Sequence, residues 1–155
     1  IVKQMIKANR QVNGSTVAIF GITFKENCPD VRNTKVVDVI NELKEYGVRS
    51  IVVDPVADKD DLFKEYGIKI HEKEDVKNVD AVVVAVAHDE FKTISWEDIK
   101  NMQKPINNHV SALEEVAATS EGLIDCKDKS FLLIDVKGIF DRKEAEEAGC
   151  LYWRL

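Results

Sequence analysis

The sequence predicts an α/β fold, a Rossmann-like three-layer sandwich around a mainly parallel sheet of about five to six strands. Short apolar runs of strand length alternate with amphipathic segments of helix length, which is the pattern of successive β-α-β units. The run DAVVVAVAH at 80–88 is apolar along its whole centre, as expected for a strand buried on both faces. Right-handed crossovers between parallel strands then predict the strand order 3-2-1-4-5.

Strands are predicted where β-branched and apolar residues run together between turn residues. The first of them, STVAIFGI, is almost continuously apolar. Pro55 ends the second, because proline cannot donate a hydrogen bond to a neighbouring strand. The YWRL ending of the chain is predicted to be an apolar tail packed on the body of the domain. The predicted strands lie at 15–22, 49–55, 68–72, 80–88 and 130–138.

Helices are predicted where apolar residues recur at helical spacing between capping residues. Asn33 or Thr34 can cap the helix that follows the first strand, and Gly47 comes directly after its end. Ser95 is the expected cap of a later helix. The predicted helices lie at 33–46, 58–67, 95–102 and 142–149.

The chain is predicted to hold one domain at 13–155, preceded by an incoming helix or linker at 1–12. The polar segment 103–129 interrupts the alternation of strands and helices, so we expect an insertion or an extended crossover there. The sequence begins at Ile1 rather than at a methionine. This start predicts that the chain is a fragment of a longer protein.

The composition limits the class of protein. Of the 155 residues 45% are hydrophobic and 32% are charged, which is typical of a soluble globular protein. The net charge of −6 argues against nucleic acid or an anionic membrane as the main partner. No membrane-spanning run or signal peptide is visible, and a cytoplasmic location is predicted. Cys28, Cys126 and Cys150 lack metal-ligand spacing and neighbouring bases, so we expect reduced, structural thiols and no metal site.

Charged and polar side chains follow several of the predicted strands. Ligands of such sheets bind at the carboxyl ends of the strands, where the strand order reverses. Lys25, His88 and Lys137 lie at or just past the ends of the first, fourth and fifth strands. Two cations there suit an anionic ligand such as a phosphate or pyrophosphate. Solvated lysines, and a histidine with a purely structural role, remain the alternatives.

Asp54 ends the second strand, where a dinucleotide-binding fold places the acid that binds the ribose. The glycine fingerprint that accompanies this acid is absent, since the chain contains no G-x-G. The sequence therefore does not predict that this domain itself binds a dinucleotide. Spacing alone gives an α/β domain with an edge suited to anions, and no reaction.

The stretch GITFKENCPDVRNTKVVDVI resembles the C-terminal, UDP-sugar-binding domain of the UDP-glucose/GDP-mannose dehydrogenase family. LIDVKGIFD at 133–141 is similar to a second motif of that domain, and the resemblance covers about 13–102 and 130–155. The wording KENCPDVRNTK looks most like the branch that acts on UDP-N-acetylhexosamines for surface-polysaccharide synthesis. The family's anchors in the first motif are all present, at Gly21, Phe24, Lys25, Asp30, Arg32 and Thr34.

The resemblance implies part of an NAD-dependent nucleotide-sugar 6-dehydrogenase, which oxidises a C6 alcohol to a carboxylate in two hydride transfers. It implies that Phe24, Lys25 and Lys137 contact the UDP-sugar. It also implies that Arg32 reaches NAD bound by an N-terminal domain of the same chain, and that the full-length enzyme is a homo-oligomer. The family's catalytic cysteine lies in a glycine-rich motif that is expected before Ile1. We therefore expect this chain to be inactive alone.

A second interpretation belongs to a different class of protein. Alternating strands and helices are also typical of a free-standing α/β small-molecule-binding domain or a receiver-like signalling domain. A receiver needs a cluster of acidic residues at the end of its first strand. The segment FGITFK carries no acid at that point, which counts against this interpretation.

Overall fold

The computed structural model describes residues 1–106 and 129–155. Most of the predicted insertion or extended crossover, together with Cys126, lies outside the described residues. Within them the strands are β1 (Thr16–Phe20), β2 (Arg49–Val53), β3 (Ile70–His71), β4 (Ala81–Val84), β5 (Phe131–Asp135) and β6 (Cys150–Arg154). The helices are α1 (Val2–Lys7), α2 (Val36–Glu45), α3 (Lys59–Tyr66), α4 (Trp96–Asn101) and α5 (Arg142–Glu147), with 3-10 turns at Lys73–Asp75 and Asp89–Thr93.

All described strands belong to one parallel sheet in the order β3-β2-β1-β4-β5-β6. The predicted order of the first five strands is confirmed. The prediction of a packed C-terminal tail is wrong, because Cys150–Arg154 pairs in register with β5 as a sixth strand. Tyr152 and Trp153 have high strand propensity, and pairing satisfies backbone groups that β5 would otherwise leave open at the edge of the sheet.

The two faces of the sheet explain why its strands are so apolar. Along β1, Val17 and Ile19 point to one hydrophobic cluster, and Ala18 and Phe20 point to another. The helices α1, α2 and α3 cover the first cluster. The helices α4 and α5, with the 3-10 turn at Asp89–Thr93, cover the second. This arrangement is the predicted three-layer sandwich.

Several strands and helices end where local residues require it. The N-terminus of α3 is capped by the Asp58 carboxylate, which accepts hydrogen bonds from two backbone N–H groups, and Gly67 ends this helix in the left-handed conformation with φ 67°. The Ser95 hydroxyl caps α4 as predicted. The strand β4 ends at Val84, four residues earlier than predicted, so His88 lies in the loop beyond it.

The segment predicted as an incoming helix or linker is tied to the domain. The helix α1 buries Met5 in the first cluster, and the guanidinium of Arg10 donates hydrogen bonds to the carbonyls of Lys104 and Pro105. No helix in residues 1–106 or 129–155 is long and apolar enough to cross a membrane. The same residues hold no cluster of three or more His, Cys, Asp or Glu side chains suited to a metal ion.

Candidate substrate-binding site

A long loop, residues 21–35, joins β1 to α2; we call it the charged loop. It starts at Gly21, whose φ of 91° lies in a region that side-chain-bearing residues rarely adopt. A Cβ atom at this position would lie 2.5 Å from the Cβ of Val86. Gly21 therefore lets the chain leave β1 directly against the loop that follows β4.

Asp54, at the end of β2, fixes the beginning of the charged loop. Its Oδ2 accepts a hydrogen bond from the Ile22 N–H at 2.7 Å, and its Oδ1 accepts from the N–H groups of Val56 and Ala57, each at 2.9 Å. The side chain is 1% exposed. Burial alone would raise the pKa of Asp54, but hydrogen bonds from His88 and from Ile22 outweigh it and lower the pKa. All its contacts are internal, so Asp54 is not a free ribose-binding acid.

His88 lies between Asp54 and the charged loop and is completely buried. Its Nε2 is 3.1 Å from Asp54 Oδ2 and 3.1 Å from the hydroxyl of Thr23. Its Nδ1 accepts a hydrogen bond of 2.9 Å from the Asn27 N–H. Of the two interpretations left open for His88, the structure supports the satisfied structural group, and this group lies against the candidate site.

The second half of the charged loop is closed by Asp30. Its carbonyl accepts a hydrogen bond from the Phe24 N–H at 2.8 Å. Its carboxylate binds the Arg32 guanidinium in a bidentate pair, with both distances at 2.9 Å. Hydrogen bonds from the Arg32 side chain, and then from its backbone N–H, lower the pKa of Asp30 to about 2. The Arg32 side chain is 74% exposed and faces solvent.

A second loop, residues 136–141, follows β5 and carries Lys137. The carboxylate of Asp135 accepts hydrogen bonds from the N–H groups of Lys137 at 3.2 Å and Gly138 at 2.7 Å. It also accepts from the Phe140 N–H at 3.0 Å and from the hydroxyl of Tyr152 at 2.9 Å. This carboxylate is completely buried, and it holds the loop at the carboxyl edge of the sheet.

A groove of about 360 Å³ lies between the charged loop and the loop after β5. Phe24 and Lys137, predicted from two separate motifs, both line it, and Lys35 lines it at the start of α2. Lys25 is exposed on the charged loop but is not among the described residues that line the groove. Apolar walls come from strand ends and from α2, at Ile19, Val36, Val39, Val83, Ala85, Val86 and Val136.

The groove combines apolar walls with cations at its rim. Phe24 is 61% exposed, so its ring is free to cover a flat or apolar part of a ligand. Lys137 supplies positive charge, as does Lys35, whose Nζ also lies 3.3 Å from the exposed Asp38 carboxylate. The start of α2 adds the partial positive end of a ten-residue helix. The arrangement suits a small anionic ligand with an apolar or ring portion, such as a nucleoside phosphate.

Sequence reasoning missed Lys35 and the apolar walls. Lys35 lies near the start of the predicted helix 33–46, and a lysine at a helix start is normally solvated and carries no signal of its own. The cap position of α2 is Lys35, whose side chain makes no capping hydrogen bond. The hydroxyl of Thr34, one of the two predicted caps, accepts a hydrogen bond of 3.3 Å from the Val36 N–H. Asn33 adopts the left-handed conformation instead, with φ 58°.

The two cysteines in the described residues carry no sign of nucleophilic chemistry. Cys150 starts β6, where burial raises the pKa of its thiol to about 12. A thiol with so high a pKa is not ionised near neutral pH, which makes it inert. Cys28 lies half-buried in the charged loop.

Comparison with known proteins assigns this chain to a family. Residues 18–113 match the UDP binding domain of the UDP-glucose/GDP-mannose dehydrogenase family. The UDP-N-acetyl-D-glucosamine 6-dehydrogenase of Salmonella typhi is 43% identical over 104 residues, which are 67% of this chain and 24% of that protein. Protein CapL of Staphylococcus aureus is 36% identical over 155 residues, all of this chain and 30% of that protein.

A solved structure agrees with the fold. The NDP-N-acetyl-D-galactosaminuronic acid dehydrogenase from Methanosarcina mazei Go1 has a TM-score of 0.73, with 21% sequence identity over 99% of this chain and 27% of that one. The chain belongs to the UDP-glucose/GDP-mannose dehydrogenase family and carries its UDP binding domain. It spans about a quarter of the length of the first of these relatives. A receiver-like signalling domain is not favoured.

Proposed function

We propose that this chain is the UDP-sugar-binding part of an NAD-dependent nucleotide-sugar 6-dehydrogenase of the cytoplasm. The substrate we infer is a UDP-N-acetylhexosamine, oxidised at C6 in the synthesis of surface polysaccharide. The observation that carries the proposal is that Phe24 and Lys137, from two distant motifs, line the same groove together with Lys35. The relatives named as UDP-N-acetyl-D-glucosamine 6-dehydrogenases support the choice of sugar.

The positions of the lysines and of Phe24 suggest a role for each of them in binding a UDP-sugar. Lys137 and Lys25 would neutralise the diphosphate, and Phe24 would pack against an apolar face of the ligand. Lys25 is exposed and does not line the groove, so its proposed contact with the ligand is at the part that extends beyond the groove. The described residues that line the groove include no cysteine and no histidine or carboxylate, and we propose that the chemistry comes from a domain outside this chain.

Arg32 is proposed to bind NAD that is held by an N-terminal domain of the same protein. Its bidentate pair with Asp30 is exposed, and such surface pairs contribute little to stability. Arg32 can therefore leave Asp30, or share it, when a pyrophosphate approaches. When bound, NAD would supply the hydride transfer. Among the described residues of this chain, the Arg32 guanidinium is the one group that we assign to the cofactor. The full-length enzyme is proposed to be a homo-oligomer.

The proposal is tested by titrating the purified chain with UDP in a calorimeter. Lys137→Ala and Lys25→Ala should each weaken UDP binding by roughly tenfold or more, the scale of a charge-assisted hydrogen bond. Lys77→Ala is the matched control, since Lys77 is an exposed lysine in the connection before β4, at the opposite edge of the sheet. A chain that does not bind UDP, or that binds it equally well in all variants, would contradict the proposal.

A further inference from the structure

His88 has a hydrogen-bonding arrangement that fixes its protons. The Asn27 N–H donates to Nδ1 at 2.9 Å, so Nδ1 must present a lone pair. The single ring proton is therefore on Nε2, where it faces the Asp54 carboxylate at 3.1 Å. The Thr23 hydroxyl, also 3.1 Å from Nε2, gives its own proton to the Lys25 carbonyl at 2.9 Å. Every proton in this cluster has an acceptor.

Asn27 is bound to the same part of the chain by its side chain. Its Nδ2 donates to the Asp89 carboxylate at 2.8 Å, and its Oδ1 accepts from the Asp89 N–H at 3.0 Å. Asn27 adopts the left-handed conformation, with φ 55°, which brings its backbone N–H and its amide onto residues 88 and 89 together. One residue of the charged loop is thus held by both its backbone and its side chain.

The two fixed points enclose the residues that would meet the ligand. Thr23 is buried and attached to His88, and Asn27 is attached to His88 and Asp89. Between them stand Phe24 and Lys25, whose side chains are exposed. Their backbone is further held by the bonds from Phe24 N–H to the Asp30 carbonyl and from the Thr23 hydroxyl to the Lys25 carbonyl. The backbone is fixed and the side chains project outward.

We propose that His88 is a positioning residue of the binding site. As the neutral Nε2–H tautomer it joins Asp54 to Thr23 and Asn27, and so holds the charged loop in the one conformation that presents Phe24 and Lys25 to a nucleoside diphosphate. The inference rests on the proposed function for its ligand. A loop already ordered before binding loses less conformational freedom when the ligand arrives, which strengthens binding without any direct contact.

Two substitutions separate the two sides of the imidazole. His88→Asn places a carbonyl oxygen near the position of Nδ1 and loses the Nε2 contact, so it can still accept from the Asn27 N–H. His88→Gln places an amide N–H near the position of Nε2 and loses the acceptor for Asn27. His71→Asn and His71→Gln are the matched controls, because His71 is exposed on β3. Thermal unfolding of each variant reports the cost to the fold.

The first readout needs no ligand. Nitrogen-15 NMR of the wild-type chain should show His88 as the Nε2–H tautomer, and the Asn27 amide should exchange slowly with solvent. In His88→Gln the Asn27 amide should exchange at least about tenfold faster, as expected for loss of a hydrogen bond in a locally opened loop. In His88→Asn it should stay protected. The wild-type measurement keeps the proposal testable if a variant does not fold.

The second readout is UDP affinity by calorimetry. His88→Gln should weaken UDP binding by about five- to tenfold, and His88→Asn by less than about twofold. His71→Asn and His71→Gln should leave UDP affinity unchanged. An Nδ1–H tautomer in the wild type, or wild-type exchange and affinity in His88→Gln, would overturn the proposal. If the wild-type chain does not bind UDP, the proposed function fails, while the tautomer and the Asn27 exchange still decide whether His88 holds the loop.

Discussion

Asp54 and Asp135 occupy equivalent places in the fold but stabilise different parts of it. Each is a buried carboxylate at the end of a strand, and each accepts hydrogen bonds from the N–H groups two and three residues further along. Asp135 holds only the loop that follows its own strand, with help from Tyr152. Asp54 also holds the charged loop, which follows a different strand, and pairs with His88 from a third part of the chain.

The difference shows how the two sides of the groove are built. The side that carries Lys137 is ordered mostly by contacts within a few residues of Asp135. The side that carries Phe24 and Lys25 depends on contacts between residues 31 to 65 positions apart in the sequence. Non-local contacts form only when the whole sheet has formed, so the charged loop is more tightly coupled to the stability of the domain.

The largest expected effect tests this coupling directly. Asp54→Ala should lower the free energy of unfolding by about 3–5 kcal/mol, because it leaves His88 and several buried N–H groups without an acceptor. Asp135→Ala should cost less, about 2–3 kcal/mol, since water can reach part of its loop. Urea unfolding measures both, with Asp75→Ala as an exposed control. Equal losses for the two variants would contradict the comparison.

The pH dependence of stability gives a second test of the role of Asp54. The pKa of Asp54 is lowered in the folded protein, so its contribution is present above the unfolded pKa of about 3.9 and is lost as the pH falls through the lower folded value. We expect Asp54→Asn to lose less stability than the wild type when the pH is lowered from about 5 to 2. Urea midpoints across this range provide the measurement. Parallel curves for the two proteins would be the contrary result.

Arg32 tests whether the exposed part of the charged loop acts on a different ligand from the buried part. In the full-length enzyme Arg32→Lys should weaken NAD binding by about tenfold, because lysine keeps the charge but lacks the planar fork. UDP binding by this chain should be unchanged in the same variant. An NAD titration of the whole enzyme, beside calorimetry with UDP, separates the two. Weaker UDP binding with normal NAD affinity would show that Arg32 binds the UDP-sugar and not NAD.

The smallest expected effect is on the loop after β5, which is held mostly by contacts close in sequence. Tyr152→Phe removes the hydroxyl that donates to Asp135 at 2.9 Å and lies 3.0 Å from the Phe140 carbonyl. The loss should be about 1 kcal/mol of unfolding free energy, the usual net worth of one hydrogen bond. Amide exchange at Asn27 should not change. A faster exchange there would show that the two loops are coupled after all.

The fold was largely predictable because its signals are local and repeated. The apolar runs of β1 and β4 and the caps Asp58 and Ser95 act within a few residues, so their patterns survive in the sequence. The edge strand β6 escaped prediction because Tyr152, Trp153 and Arg154 form a strand only when β5 lies beside them. A chain end with mixed apolar and polar residues gives no periodic signal of that pairing.

The candidate site was predictable only in part. Phe24 and Lys137 share the groove as expected, and their signal was the motif resemblance together with the rule for strand ends. The network around His88 could not be predicted, because His88 is 34 to 65 positions away in the sequence from its partners Asp54, Asn27 and Thr23. The roles of Lys25 and Arg32 remain predictions, since both side chains face solvent.

The charged loop contains one glycine, Gly21, although two later positions adopt the left-handed conformation. Asparagine occupies both, at Asn27 and Asn33. Glycine would adopt this conformation more easily, but it would also give the unfolded chain many more conformations to lose on folding. Part of the order of this loop is therefore set in the unfolded ensemble, before any contact forms. Asn27→Gly and Asn33→Gly would raise the entropy of that ensemble even where the folded loop stayed the same.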